Sequence, residues 1–218
     1  MFWNFMYKAG RVLSPILIHY LAANLMMMIW VSLRLQTDAA FLTSITAVVL
    51  LPLFYIWYQK DRQRKNVEKR RLCIRECAGI AACGVFCNLL IGTLAGAASE
   101  ALQLNNEAQE MLYKSSLLVQ LIGIGMIVPF MEEVLFRGLV YKRLKEYTGN
   151  DWTAILAAAV LFAVYHGNLT QMLFAFPMAL ILIFIYRKWD TLQAPVIFHA
   201  AVNISSILLT AWTQGAVP

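Results

Sequence analysis

The sequence predicts an all-α integral membrane protein, a polytopic bundle of about seven transmembrane helices. Composition is the first reason. Of 218 residues 61% are hydrophobic and 14% charged, with a mean hydropathy of +0.64, against roughly 25% charged residues in an average soluble domain. The second is that apolar windows of the ~20 residues needed to cross the hydrocarbon core recur at about 14–35, 39–58, 73–98, 116–140, 152–168, 170–187 and 191–212. The third is the placement of the net charge of +6, which gathers on alternate connections. Little chain is left for a soluble domain, so residues 1–218 read as one membrane domain.

The first window, 14–35, is too long for the apolar part of a signal peptide and lacks an A-x-A cleavage site, so it reads as a retained span. After 39–58 comes a basic connection with Lys60, Arg62, Arg64, Lys65, Lys69, Arg70 and Arg71, whereas the segment from Ser99 to Ser115 carries Glu100, Glu107 and Glu110 against Lys114. The positive-inside rule makes the basic connection cytoplasmic, and alternation puts the amino terminus, Lys142-Arg143-Lys145 and Arg187-Lys188 on that side. The basic run has no interleaved aromatic platform and so reads as a topogenic, headgroup-contacting loop, with no nucleic-acid partner. The third window holds Cys73, Cys77, Cys83 and Cys87. Four cysteines on one helix cannot surround one tetrahedral metal, so they read as small packing residues, with Gly92-x-x-x-Gly96 extending a close helix contact. Residues 99–115 form the one long non-membrane connection, helical or irregular.

The fourth window interrupts its apolar run with Pro129-Phe130-Met131-Glu132-Glu133-Val134-Leu135-Phe136-Arg137-Gly138. Ionisable groups cost several kcal/mol at bilayer depth, so a carboxylate pair and an arginine kept there mark a functional site. Glu133 and Arg137 are i, i+4 neighbours on a helix, while Glu132 points away from Arg137. Arg137 is therefore expected to neutralise Glu133 and leave Glu132 for chemistry. Pro129 removes a backbone donor and frees a carbonyl one turn earlier, and Pro195 is expected to act similarly before His199. The turn Tyr147-Thr148-Gly149-Asn150-Asp151 stops the span at the glycine and caps the next helix at Asp151. Counted from that turn and from Trp189-Asp190, Glu132, His166 and His199 reach a similar depth, placed in the cytoplasmic half of the membrane. The acceptor-like triplets Asn168-Leu169-Thr170 and Asn203-Ile204-Ser205 lie too close to the bilayer to be glycosylated.

A carboxylate, two histidines and an amide inside a membrane suit peptide hydrolysis. Glu132 would activate water, burial favouring a base that works near neutral pH, and His199 with Asn203, one turn apart, would donate to the oxyanion. The same Glu132, His166 and His199 offer donors that zinc accepts.

In chain order, Glu132-Glu133-x-x-x-Arg137, Phe162-x-x-x-His166 and His199-x-x-x-Asn203 resemble the three motifs of the CPBP (Abi) intramembrane proteases, related to type II CAAX prenyl endopeptidases. The resemblance covers about residues 115–212, a catalytic core following N-terminal spans in 1–98. It implies Glu132 and His166 activating water, His199 and Asn203 forming the oxyanion hole, Glu133 and Arg137 in support, and no bound metal, with Zn2+ as the alternative. It also implies a membrane-associated substrate, either a prenylated CAAX-type protein or a bacteriocin or signal peptide, with self-immunity among the bacterial roles. Short loops and the lack of organelle signals favour a prokaryotic plasma membrane. From other classes, a proton-coupled transporter would use the same groups as a relay, and a non-catalytic immunity or scaffold protein would only bind a partner.

Overall fold

The computed structural model describes residues 2–36, 38–63 and 70–215; Arg64, Lys65 and Lys69 of the basic run lie outside the described residues. Among these residues six helices are long and apolar enough to cross a membrane: α1 (Phe2–Ser32), α2 (Ala39–Gln63), α3 (Ile74–Ala101), α5 (Leu117–Thr148), α7 (Leu169–Trp189) and α8 (Gln193–Thr213). The seventh apolar helix, α6 (Asp151–Tyr165), has 15 residues, and a short α4 (Glu107–Tyr113) lies in the connection after α3. The chain is therefore an all-helical, multi-pass membrane bundle. α1 starts well before the expected residue 14, because Lys8 and Arg11 are carried on a helix that begins outside the apolar window.

Local chemistry sets the helix ends. Gly149 adopts φ 65°, the left-handed region that a residue with a Cβ enters reluctantly, and closes α5. The next helix is capped by Asn150, whose Oδ1 accepts the Thr153 amide at 3.0 Å. The cap expected at Asp151 thus moves by one residue, and Asp151 instead pairs with Lys145 at 3.0 Å and Arg187 at 2.7 Å. Asn168 caps α7 in the same way, its side chain accepting the Gln171 amide at 3.2 Å. Pro195 falls in the first turn of α8, where the missing amide has no intrahelical partner to lose, so it starts the helix and produces no kink.

Ion pairs gather the basic segments at one end of the bundle. Asp61 accepts from Arg11 at 2.6 Å and from Arg143 at 2.7 Å, tying α1, α2 and α5 together there. At the opposite end Thr170 donates to the Asn105 carbonyl at 2.9 Å and Ser115 to Asp38 at 2.7 Å. Burial is inverted relative to a soluble protein. Leu21 and Met28 on α1 are 66% and 67% exposed, as lipid-facing side chains are, whereas Arg137 is 1% exposed.

α3 packs on α8 through Gly84: a Cβ there would sit 2.6 Å from the Phe198 carbonyl oxygen. The contact expected at Gly92 and Gly96 is not where the helices close, for a Cβ at Gly96 meets nothing within 4 Å. Cys73 and Cys83 are exposed, so the cysteines expected to pack between helices lie partly on the outer surface, Cys77 and Cys87 being half-buried. Asn88 completes the α3–α8 seam, donating to Ser205 Oγ at 3.0 Å and accepting from Ser206 at 3.3 Å. Gly84→Ala is expected to destabilise the bundle by about 1–3 kcal/mol through overpacking, and Gly79→Ala, which meets nothing within 4 Å, to leave it unchanged; thermal unfolding in detergent compares the two.

Candidate active site

α5 is not a uniform α-helix. Residues Gln120–Ile127 and Val134–Tyr141 form i→i−5 hydrogen bonds on either side of the α-helical Val128–Glu133. The Val128 amide donates to the Gly123 carbonyl. Continued by one residue, that ladder would have position 129 donate to Ile124, and Pro129 has no N–H. The Ile124 carbonyl so released is taken by Asn203 Nδ2 from α8, at 2.9 Å. The bend expected from Pro129 is thus expressed as widened helical turns next to the glutamates, a form often found at functional sites.

The two glutamates have different surroundings. Glu133 is fully buried, and its Oε1 accepts from Arg137 Nη1 at 2.9 Å and from His199 Nδ1 at 2.8 Å. Arg137 also donates to the Ala179 carbonyl at 3.4 Å and lies over the Phe162 ring, 4.4 Å from its centroid, so this one side chain joins α5, α6 and α7. Glu132, 7% exposed, faces a cavity, with Oε2 3.7 Å from His199 Nε2. The i, i+4 pairing expected for Glu133 is present, but Glu133 is not merely the counter-ion of Arg137, because it also orients His199.

Hydrogen-bond partners fix the histidine tautomers. His166 follows the last turn of α6, and its Nδ1 donates to the Phe162 carbonyl at 2.8 Å. A carbonyl or an ionised carboxylate only accepts, so Nδ1 carries the proton in both His166 and His199 and Nε2 is the remaining nitrogen. Phe162 stands between the two rings, with centroid distances of 4.9 Å to His166 and 6.0 Å to His199. Glu132, His166, His199 and Asn203 all line one cavity of about 870 Å³.

The residues that sequence reasoning passed over are His19 and Tyr165. His19 on α1 is 7% exposed, lies 2.9 Å from the Tyr165 hydroxyl, and lines the cavity with it. The signal was there, since His19 is an ionisable residue inside an apolar window. Zinc would need Glu132, His166 and His199 to gather as a ligand set, and among the described residues no three His, Cys, Asp or Glu side chains do so.

The cavity runs away from the basic end. Opposite Glu132 its wall reaches Asn106, Gln109 and Tyr113 in the connection that follows α3. The cavity thus extends toward the connection after α3, whereas the sequence reading places the site in the cytoplasmic half, the side assigned to the basic segments. α6 is so short that the ~22 Å counted up from Gly149 crosses most of the bundle, and His166 is followed at once by the turn whose Thr170 reaches Asn105.

Comparison with known proteins gives a family match over part of the chain. Residues 114–205 match the family described as type II CAAX prenyl endopeptidase Rce1-like. Glu132, Glu133, Arg137, His166, His199 and Asn203 all fall within that segment, and His19 falls outside it. Bacillus subtilis YdiL, provisionally named a membrane peptidase, is 26% identical over 85 residues, 39% of this chain and 34% of YdiL. The Lactococcus lactis UPF0177 proteins YxdF and YaiH are each 29% identical, over 44% and 39% of this chain and 52% and 35% of their own lengths. The chain thus matches a third to a half of each of these relatives. No solved structure matches it at comparable significance.

Breaking a buried ion pair by removing one partner costs about 3–5 kcal/mol. Arg137→Met is expected to lose about that much, and Glu133→Gln/Arg137→Met to recover a large part, because glutamine leaves no bare charge and its carbonyl oxygen still accepts from His199. Unfolding of both variants in detergent measures the coupling.

Proposed function

We propose that the chain is an intramembrane endopeptidase that hydrolyses a peptide bond in a membrane-associated substrate, with Glu132 and His166 activating water. The observation that carries this reading is the convergence of Glu132, His166, His199 and Asn203 from α5, α6 and α8 on one cavity, with each imidazole held through Nδ1. The match to a CAAX endopeptidase family and the relative named provisionally as a membrane peptidase support it.

In this mechanism the Glu132 carboxylate takes a proton from a water that His166 Nε2 helps to orient. The hydroxide adds to the scissile carbonyl, and the negative oxygen of the tetrahedral intermediate needs donors in a dry site. Asn203 has one N–H on the Ile124 carbonyl and a second to give. His199 donates through Nε2 only as the imidazolium, with Nδ1 on Glu133 and Nε2 facing Glu132. Collapse of the intermediate breaks the C–N bond, and Glu132 returns its proton to the leaving amine. Zinc is not required in this scheme: ligands from three helices would have to meet at about 2.0–2.2 Å, and Asn203 would lose its task. Prenylated CAAX-type proteins and bacteriocin or signal peptides are the substrate classes that the resemblance suggests.

Purified protein with a library of membrane-anchored peptides, read by mass spectrometry, tests the proposal. Glu132→Gln is expected to abolish cleavage while the protein still folds. Asn203→Ala is expected to lower kcat by about 100-fold, as removal of one oxyanion donor does, with a smaller change in KM. Activity is expected to survive chelation; stoichiometric zinc whose removal abolishes and whose return restores cleavage would overturn the metal-free scheme alone. Equal cleavage by wild type and Glu132→Gln would reject the protease.

A further inference from the structure

The helices that wall the cavity contribute mainly the part of their length leading away from the basic segments, α7 lining it from Thr170 to Leu182, short of Arg187. On α1 the wall begins at His19, two turns beyond the Arg11 held by Asp61; on α6 it is the last turn; on α8 it runs from Phe198 onward. α2 contributes Thr43, close to its start at Ala39, and α5 contributes nothing beyond Glu132. Asp61, Arg143, Asp151 and Arg187 meanwhile close the other end with ion pairs.

The chemistry of the wall is equally one-sided. Apart from Glu132 and the three histidines, the lining includes no Asp, Glu, Lys, Arg or His side chain. The approach is built of amides and hydroxyls instead. Asn106 Nδ2 donates to Gln109 Oε1 at 2.8 Å, Gln109 Nε2 donates to Tyr113 Oη at 3.2 Å, and Asn24 and Gln171 add two more amides. Asn106 Oδ1 is buried without a hydrogen-bond partner, an acceptor suited to a peptide N–H. Carboxamides pair with both the N–H and the C=O of an extended backbone, whereas an acidic side chain entering here would lose its hydration and meet only the Glu132 carboxylate.

Resting on the protease reading, we propose that the chamber is loaded from the end opposite the basic segments, the extracytoplasmic side, and that its substrate is an uncharged, extended segment on that side of a membrane-anchored protein. The orientation follows from the basic residues, which stay cytoplasmic; the substrate class follows from the uncharged approach. Peptides exposed outside the cell and still held by a membrane span are the polymers that this geometry serves. The cytoplasmic carboxyl terminus of a prenylated protein is at the wrong face.

Two measurements on the full chain in bacterial cells test this. In a variant with Cys73, Cys77, Cys83 and Cys87 replaced by alanine, Glu110→Cys, exposed on α4, is expected to react with a membrane-impermeant maleimide in intact cells. Reaction only after permeabilisation would overturn the orientation, whatever the protein's activity. Separately, two single-span reporters carry the same uncharged juxtamembrane segment, outside in one and inside in the other, with the Glu132→Gln chain as background. Cleavage of the outer reporter is expected, slowed by about tenfold or more when an aspartate is placed in the segment. Preferred or equal cleavage of the inner reporter, or indifference to the aspartate, would overturn the substrate assignment. Cleavage of neither, in a chain whose Glu110→Cys labels from outside, would reject the protease reading, and this substrate with it.

Discussion

A single oxygen, Oε1 of Glu133, accepts from both Arg137 and His199 in a site closed to solvent, and the rest of the arrangement depends on it. In a bundle whose surface is meant for lipid, an arginine 1% exposed and a carboxylate fully buried persist only because each neutralises the other. Their placement orders much else. Arg137 reaches the Ala179 carbonyl and the face of Phe162, Phe162 stands between the two histidines, and His199 presents its second nitrogen toward Glu132. Glu133 thus fixes the scaffold, and Glu132, one residue away, is left in the cavity. Adjacent residues face the packed interior and the cavity respectively because consecutive positions on a helix point to different sides.

The second constraint is backbone bookkeeping at Pro129. No water reaches the bilayer core to satisfy a free carbonyl, so one released there must find a protein donor. Asn203 supplies it, which explains how an asparagine on α8 is held opposite the glutamates of α5. The i→i−5 turns flanking Val128–Glu133 belong to the same solution. Asn203 is therefore placed by a structural bond and still retains a second N–H for other work.

Much of the fold was legible because hydropathy depends on composition within a window and little on tertiary context. The seven apolar windows correspond to six long helices and the short α6. The Glu133–Arg137 contact was legible from helical periodicity alone. What was not legible required packing between helices. His199 lies between both carboxylates, Asn203 meets Ile124 only through the i→i−5 ladder, and Gly84 rather than Gly92 or Gly96 carries the α3–α8 contact. Counting residues from a turn also takes no account of a helix as short as α6, whose last turn already reaches the cavity. His19 was missed for a different reason: it belongs to none of the three motifs, although its position in an apolar window marked it.

In the proposed mechanism Glu132 activates a water and does not itself attack the substrate. Single-turnover hydrolysis in H2(18)O, with excess protein over a cleavable peptide, tests this most directly. One 18O atom is expected in the new peptide carboxyl group on the first turnover and none in the Glu132 side chain after digestion of the protein. A first-turnover product carrying only 16O, with 18O recovered in Glu132, would contradict this mechanism and make Glu132 a covalent nucleophile.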